Sequence, residues 1–304
     1  MSDFQLKTPL AFLVFNRPDK TKKVFEEIRR ARPSKLLVVA DGPREGTPNE
    51  TKKCQDVRAI INSVDWPCEV LQNYSDINLG CKIRVSSGLN WVFEQVEEAI
   101  ILEDDCLPHP HFFRFCQELL AKYRHDGRIG IISGDNFQFG KQRTNNSYYF
   151  SRYAHIWGWA SWRRTWKEYD VEIKKWPTVK KGGWMADLFS EKKLVNYWTN
   201  IFDSVYQNQI DTWDYQLNFS IWVNSQLNIM PVNNLVSNIG FGPDASKTTS
   251  KNSFLTPPLN EMKFPLVHPT MFIRDALADK KTENDQFNSS IILRIINKIQ
   301  RKLK

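Results

Sequence analysis

Short unbroken apolar runs that alternate with helical patterns constrain this chain most. Leu10 to Phe15 is continuously apolar and ends at Asn16-Arg17-Pro18, after which Asp19 to Arg30 spaces Val24, Phe25 and Ile28 along one helical face. Leu36 to Ala40 repeats the pattern, closed by Asp41-Gly42-Pro43-Arg44, with a helix predicted over Thr51 to Asn62. Cys68 to Gln72, Ala99 to Leu102 and Ile129 to Ser133 read as further strands, and Lys82 to Val96 and Phe112 to Tyr123 as helices between them. Strands without polar alternation are buried on both faces, and parallel neighbours need a helical crossover. The expectation is an α/β fold, a mainly parallel sheet flanked by helices, over residues 1–136.

The run ending at Leu102 has the most demanding exit, because Glu103-Asp104-Asp105 follow it directly. Strand ends in such sheets open toward ligands, and three adjoining carboxylates there need a cation or donors to neutralise them. A hard divalent ion shared with a phosphate-bearing ligand meets that need, and a solvated turn capping the helix after Pro108 is the alternative. Asn16, Arg17, Asp41 and Asp135 stand at other strand ends and would line the same crevice. A carboxylate can accept from a base N–H, and an arginine can pair with phosphate. The G-x-G-x-x-G fingerprint and the G-x-x-x-x-G-K-[ST] loop are both missing, which disfavours dinucleotide redox chemistry and P-loop phosphoryl transfer.

The rest of the chain is built differently. Of 11 Trp in 304 residues, nine fall between Trp157 and Trp222. Tyr148 to Phe150 is predicted as a strand, Trp159 to Trp166, Lys192 to Gln207 and Trp213 to Asn224 as helices, and Asn233 to Pro258 as a long loop. Residues 137–275 therefore read as a Trp-rich second half of the same domain. Trp157, Trp159 and Trp162 would be platforms for sugar faces if exposed and core if buried. Residues 276–304 form a basic tail, in which Ile292, Ile295, Ile296, Ile299 and Leu303 share a helical face amid Arg294, Lys298, Arg301, Lys302 and Lys304. Such a helix over 286–304 can lie on an anionic membrane, a partner or the protein body.

The net charge of +8 points to an anionic ligand or surface. Its spread along the chain, without an interleaved aromatic stripe, argues against nucleic acid. Five cysteines without C-x-x-C spacing, no hydrophobic leader core and no membrane-length apolar run lead to the expectation of a cytoplasmic protein, peripheral on the inner membrane face.

The order Phe15-Asn16-Arg17-Pro18, Ala40-Asp41-Gly42, Asn78-Leu79-Gly80, Leu102-Glu103-Asp104-Asp105 and Ser133-Gly134-Asp135-Asn136 resembles metal-dependent nucleotide-sugar glycosyltransferases of the GT-A fold. More narrowly it resembles the inverting N-acetylglucosaminyltransferase I type and its bacterial relatives. His155-Ile156-Trp157-Gly158-Trp159 and Thr212-Trp213-Asp214-Tyr215 match that family's Gly-Trp and W-D-D-W segments, so the likeness runs from about residue 9 to 245. It implies that Phe15, Asn16 and Arg84 contact the donor, Arg17 its phosphates and Asp41 the uracil edge. Glu103 and Asp104 would contact the ribose or donor sugar, Asp135 would border the sugar pocket, and Asp105 would ligate Mn²⁺ or Mg²⁺. Trp157, Gly158, Trp159 and Trp213 would lie on the acceptor side, with Asp214 as general base or, alternatively, as a cap of the helix it opens. His109 and His111 could be further metal ligands or mark a helix entrance. The implied activity is inverting transfer from a UDP-linked sugar, UDP-GlcNAc among the candidates, to a glycan or lipid-linked hydroxyl. A sugar-1-phosphate nucleotidyltransferase and a non-catalytic carbohydrate-binding protein are the alternatives.

Overall fold

The structure, a computed structural model, describes residues 4–241 and 257–287. The described residues form ten strands: β1 Leu10–Val14, β2 Lys35–Ala40, β3 Glu69–Tyr74, β4 Glu98–Glu103, β5 Cys106–Pro108, β6 Ile129–Ser133, β7 Tyr148–Ser151, β8 Trp159–Trp162, β9 Leu227–Pro231 and β10 Val236–Asn238. The helices are α1 Pro18–Ala31, α2 Glu50–Ile61, α3 Gly80–Gln95, α4 Pro110–Tyr123, α5 Arg163–Trp166, α6 Trp176–Lys181, α7 Met185–Leu188, α8 Lys192–Tyr206, α9 Asp214–Val223 and α10 Ala276–Thr282.

Eight strands make one sheet in the order β3-β2-β1-β4-β8-β6-β9-β7, and β10 pairs with β5 in a second, two-stranded sheet. β7 and β8 run against the rest of the large sheet. The expected α/β class, mainly parallel and flanked by helices, is what the chain forms. β1 shows why its run is apolar throughout. Leu10, Phe12 and Val14 pack with Val24 and Phe25 of α1, Val57 of α2 and Phe112 of α4 on one face. Ala11 and Leu13 pack with Leu89 and Val92 of α3, Trp198 of α8 and Leu217 of α9 on the other. A strand covered on both sides has no position at which a polar side chain would be solvated.

Two predicted elements are corrected. Trp159 to Trp166 is a strand followed by a single helical turn, not a helix. The strand inserts antiparallel between β4 and β6; Trp159 and Trp162, three residues apart, would share a face of a helix but stand on opposite faces of this strand, and each enters a different core. The loop predicted from Asn233 contains β10, which pairs Asn238 with Cys106 and so leans on the acidic exit of β4. Residues 242–256 of that loop and residues 288–304 of the basic tail lie outside the described residues. No helix among the described residues is long and apolar enough to cross a membrane.

Candidate active site at one edge of the sheet

Because β1, β2, β3, β4 and β6 run parallel, their exits share one edge, and β8, running the other way, begins there. At the β4 exit Arg17 bridges two acids: Nη2 lies 3.0 Å from Asp104 Oδ1 and Nη1 2.7 Å from Asp105 Oδ2. Phe15 N–H also donates to Asp104 Oδ2 at 3.4 Å. Burial pushes the Asp104 carboxyl pKa well up, Arg17 opposes that and Asp105 adds to it. Burial alone would lower the Arg17 pKa, but Asp104 and Asp105 more than offset it and hold the guanidinium charged. Much of the cation demanded by the acidic run is therefore supplied from within the chain. Glu103, the last residue of β4, is half-buried beside this pair.

A second layer closes on Asp105. Its carbonyl accepts from Ile239 N–H at 2.7 Å, and its Oδ1 accepts from Asn238 Nδ2 at 3.4 Å. A Cβ at Gly240 would stand 2.1 Å from Asp105 Oδ2, so only glycine lets the backbone pass there. Lys20 Nζ reaches the Gly240 carbonyl at 3.4 Å.

Asp41 is saturated. Its Oδ1 accepts from Gly42 and Leu79 N–H, both at 2.9 Å, and its Oδ2 from Asn78 Nδ2 at 3.0 Å and Gly80 N–H at 3.2 Å. The next two amides of α3, on Cys81 and Lys82, donate to Asp211 at 3.3 and 2.9 Å. Two carboxylates thus take the orphan N–H groups and positive dipole end of one helix. Asp211 sits three residues before Asp214, so this contact fastens the loop carrying Asp214 beside the β2 exit. Arg84 is buried and ties strand ends together, donating to the Ala40 carbonyl at 3.1 Å and to Asn73 Oδ1 at 2.7 Å.

Asn16 donates to Glu50 Oε1 at 2.7 Å, and Glu50 also accepts from Arg44 N–H at 2.6 Å and from its guanidinium. Those Arg44 bonds hold the Glu50 carboxyl down at about 2. Around this node the surface opens. A groove of about 750 Å³ is lined by Arg44, Thr47, Pro48, Thr51, Ile77 and Asn78 among others. It adjoins one of about 180 Å³ lined by Asn16, Arg17, Arg44, Glu50 and Lys53 among others.

On the aromatic side Trp159 and Trp213 are buried and stack at 5.8 Å between ring centroids. Asp214 opens α9 half-exposed, and Thr212 Oγ1 donates to its Oδ1. Gly158 has a φ of +66°, and a Cβ there would meet Val236 Cγ2 at 2.7 Å. That fit lets β10 lie on the start of β8. Trp157 is half-buried, with its ring 5.0 Å from Phe137 and 5.5 Å from Phe241. Asp135 is buried with its Oδ2 3.8 Å from His155 Nδ1, while its Oδ1 has no hydrogen-bond partner. Burial raises the Asp135 pKa and His155 opposes the rise. His109 and His111 form a helix entrance: His109 Nδ1 accepts from His111 N–H at 3.1 Å and caps α4.

Sequence reasoning missed Arg44, Glu50, Lys53, Lys20, Asp211 and Gly240. Glu50 reads as an ordinary first-turn acid and Lys20 as a surface lysine. The Gly240 loop was visible only as a polar, glycine-containing stretch.

Among the described residues no group of three or more His, Cys, Asp or Glu could hold a metal ion. Asp105 does offer hard carboxylate oxygens of the kind Mn²⁺ and Mg²⁺ prefer.

No family model and no curated protein matches the chain. Among solved structures it is similar to mouse xyloside xylosyltransferase 1 in its apo form, with 9% identity over 71% of this chain and 81% of that one and a TM-score of 0.35. It is also similar to an apo UDP-glucose pyrophosphorylase, with 10% identity, 73% and 90% covered and a TM-score of 0.37. A cytidylyltransferase from Leptospira borgpetersenii serovar Hardjo-bovis matches with 13% identity, 58% and 72% covered and a TM-score of 0.33. Superpositions this loose carry no argument about activity, which rests on the chain's own residues.

Proposed function

We propose that the chain is an inverting glycosyltransferase that moves a sugar from a UDP-linked donor, UDP-GlcNAc being the first to try, to a hydroxyl of a glycan or lipid-linked acceptor. One observation carries this reading. A single sheet edge holds a groove of nucleotide size at the exits of β1, β2 and β3, the Arg17–Asp104–Asp105 cluster at the exit of β4, and the Asp214 loop fastened to α3. Cavities of this volume suit a nucleotide; Arg44 lines this one, and Arg17, Arg44 and Lys53 line the smaller groove beside it, a cationic setting for phosphate.

In this reading the base and ribose occupy the groove between Pro48 and Ile77, and the diphosphate extends toward Arg17. Asp105 would hold Mn²⁺ or Mg²⁺, which when bound neutralises charge on the departing diphosphate. Asp214 accepts the acceptor hydroxyl proton as that oxygen bonds the anomeric carbon, while the carbon–oxygen bond to the diphosphate breaks and its electron pair leaves with UDP. The Thr212 hydroxyl, bonded to one Asp214 oxygen, orients the carboxylate and leaves the other for the proton. Trp157 and Phe241 offer aromatic faces for a pyranose near Asp105.

The test is UDP release from UDP-GlcNAc and related donors, with and without Mn²⁺. Asp214→Asn is expected to keep nucleotide binding and lose roughly 10²- to 10⁴-fold in transfer, and Asp105→Ala to lose metal-dependent binding. Pyrophosphate formation from UTP and a sugar 1-phosphate, with no sugar transfer, would assign a nucleotidyltransferase instead. Neither turnover nor metal-dependent nucleotide binding would leave a carbohydrate-binding protein.

A further inference from the structure

Asp41, at the exit of β2, has no lone pair left for a nucleobase. A carboxylate offers about four acceptor sites, and those of Asp41 are filled from within the chain. Gly42 and Leu79 N–H take Oδ1, and Asn78 Nδ2 and Gly80 N–H take Oδ2. Asp41 is also only 6% exposed and is not among the residues lining the groove of about 750 Å³.

Asn78 does line that groove, and its amide can face only one way. Nδ2 donates to Asp41 Oδ2 and to the Gly42 carbonyl, both at 3.0 Å, so both of its N–H bonds are spent. Turning the amide over would set Oδ1 against two acceptors, which fixes Oδ1 as the end left for a ligand. Among the described residues no donor bonds Oδ1.

The turn before Asn78 is tied down. Ser75 N–H donates to the Ala40 carbonyl at 3.0 Å, Ser75 Oγ to the Ile77 carbonyl at 2.7 Å, and Arg58 Nη2 to the Ser75 carbonyl at 2.6 Å. A Cβ on Gly42 would lie 2.5 Å from the Ile77 carbonyl carbon, so the two loops meet backbone to backbone. The Ile77 side chain is 67% exposed, and Pro43 and Pro48 join it in the groove lining. Apolar walls beside one oriented acceptor suit a flat ring that carries a donor on its edge. Uracil is such a ring, with a donor at N3–H, whereas cytosine has a lone pair at N3 that Oδ1 would repel.

Resting on the transferase reading above, we propose that Asn78, and not Asp41, sets the base specificity of the donor. Its Oδ1 accepts the uracil N3–H while Ile77 backs the ring, and Asp41 holds the Asn78 amide and the first turn of α3 in place.

The experiment is calorimetric titration of UDP and CDP, at one fixed Mn²⁺ concentration, into wild type, Asn78→Ala and Asp41→Asn. The two nucleotides share ribose, diphosphate and metal, so the ratio of their affinities reports the base alone. Wild type is expected to favour UDP roughly 10- to 100-fold, and Asn78→Ala to bring the ratio close to one. Asp41→Asn should weaken both nucleotides and keep the ratio, because the Gly42 carbonyl still orients the amide. If Asn78 merely propped the loop, Asn78→Ala would weaken both nucleotides equally with the ratio kept. That result overturns the proposal, as does a ratio lost in Asp41→Asn alone. A second measurement needs no variant: 3-methyl-UDP, with a methyl group in place of the N3 hydrogen, should bind wild type more weakly than UDP by a similar factor, and equal affinity overturns the proposal. Nucleotide binding without base preference removes this proposal and leaves the transferase reading standing, whereas failure of every nucleotide to bind removes both.

Discussion

At the exit of β4, Asp104 and Asp105 are sunk against Arg17, whereas Asp214 at the head of α9 is half-exposed and takes one bond from the Thr212 hydroxyl. The first arrangement is held by countercharge, and removing any member strands another. The second rests on an aromatic floor, Trp159 on Trp213, that would stay in place without the carboxylate. One half of the edge is thus built around side chains that hold one another, and the other around a carboxylate held by a single hydroxyl.

The largest expected effect tests the fixed side. Arg17→Met leaves two acids without their cation and should cost about 3–5 kcal/mol in urea unfolding at neutral pH. The loss should shrink in acid, because Asp104 then takes a proton. A variant as stable as wild type would break the comparison. Asp214→Asn tests the other side and should change stability by no more than about 0.5–1 kcal/mol in the same assay. A larger loss would make Asp214 a structural residue.

Gly240→Ala sharpens the fixed side further. Its methyl group would be driven into Asp105 Oδ2, and overpacking of that kind costs about 1–3 kcal/mol. Calorimetry should show the lower melting point together with weakened nucleotide binding.

The smallest effect is in pH dependence. Arg44 holds the Glu50 pKa down at about 2, so the stability Glu50 lends is full above its unfolded value and is lost as pH falls toward 2. Asp279 behaves oppositely: burial, opposed by Ser151 and Arg274, raises its pKa to about 6. Folded protein then holds a proton that unfolded chain has released, and stability declines as pH climbs from about 4 through 6. Melting temperatures against pH should lose the acid-side fall in Glu50→Gln and flatten between pH 4 and 6 in Asp279→Asn.

The apolar runs at Leu10, Leu36 and Ile129 were legible as strands because burial on both faces removes every polar position. The acidic exit of β4 was legible as a place where charge must be neutralised. Trp159 to Trp162 was not legible as a strand, since the three-residue spacing of its Trp suits one helical face and only the slot between β4 and β6, buried on both sides, makes it a strand. Arg17 was expected at the crevice, but its bond to both acids depends on β1 and β4 being neighbours, a pairing of residues nearly ninety positions apart.

By itself the sequence determined which segments must be buried and which residue types stand at their ends, because hydrophobic burial and local backbone preference act through near neighbours. The tertiary structure decided what those ends do: Asp41 and Asp211 hold the start of α3, Glu50 joins Asn16 to Arg44, and Gly240 admits a backbone against Asp105. Each of these is a hydrogen bond or close approach a few ångströms long between distant parts of the chain. Such contacts exist only once strand order has brought the parts together.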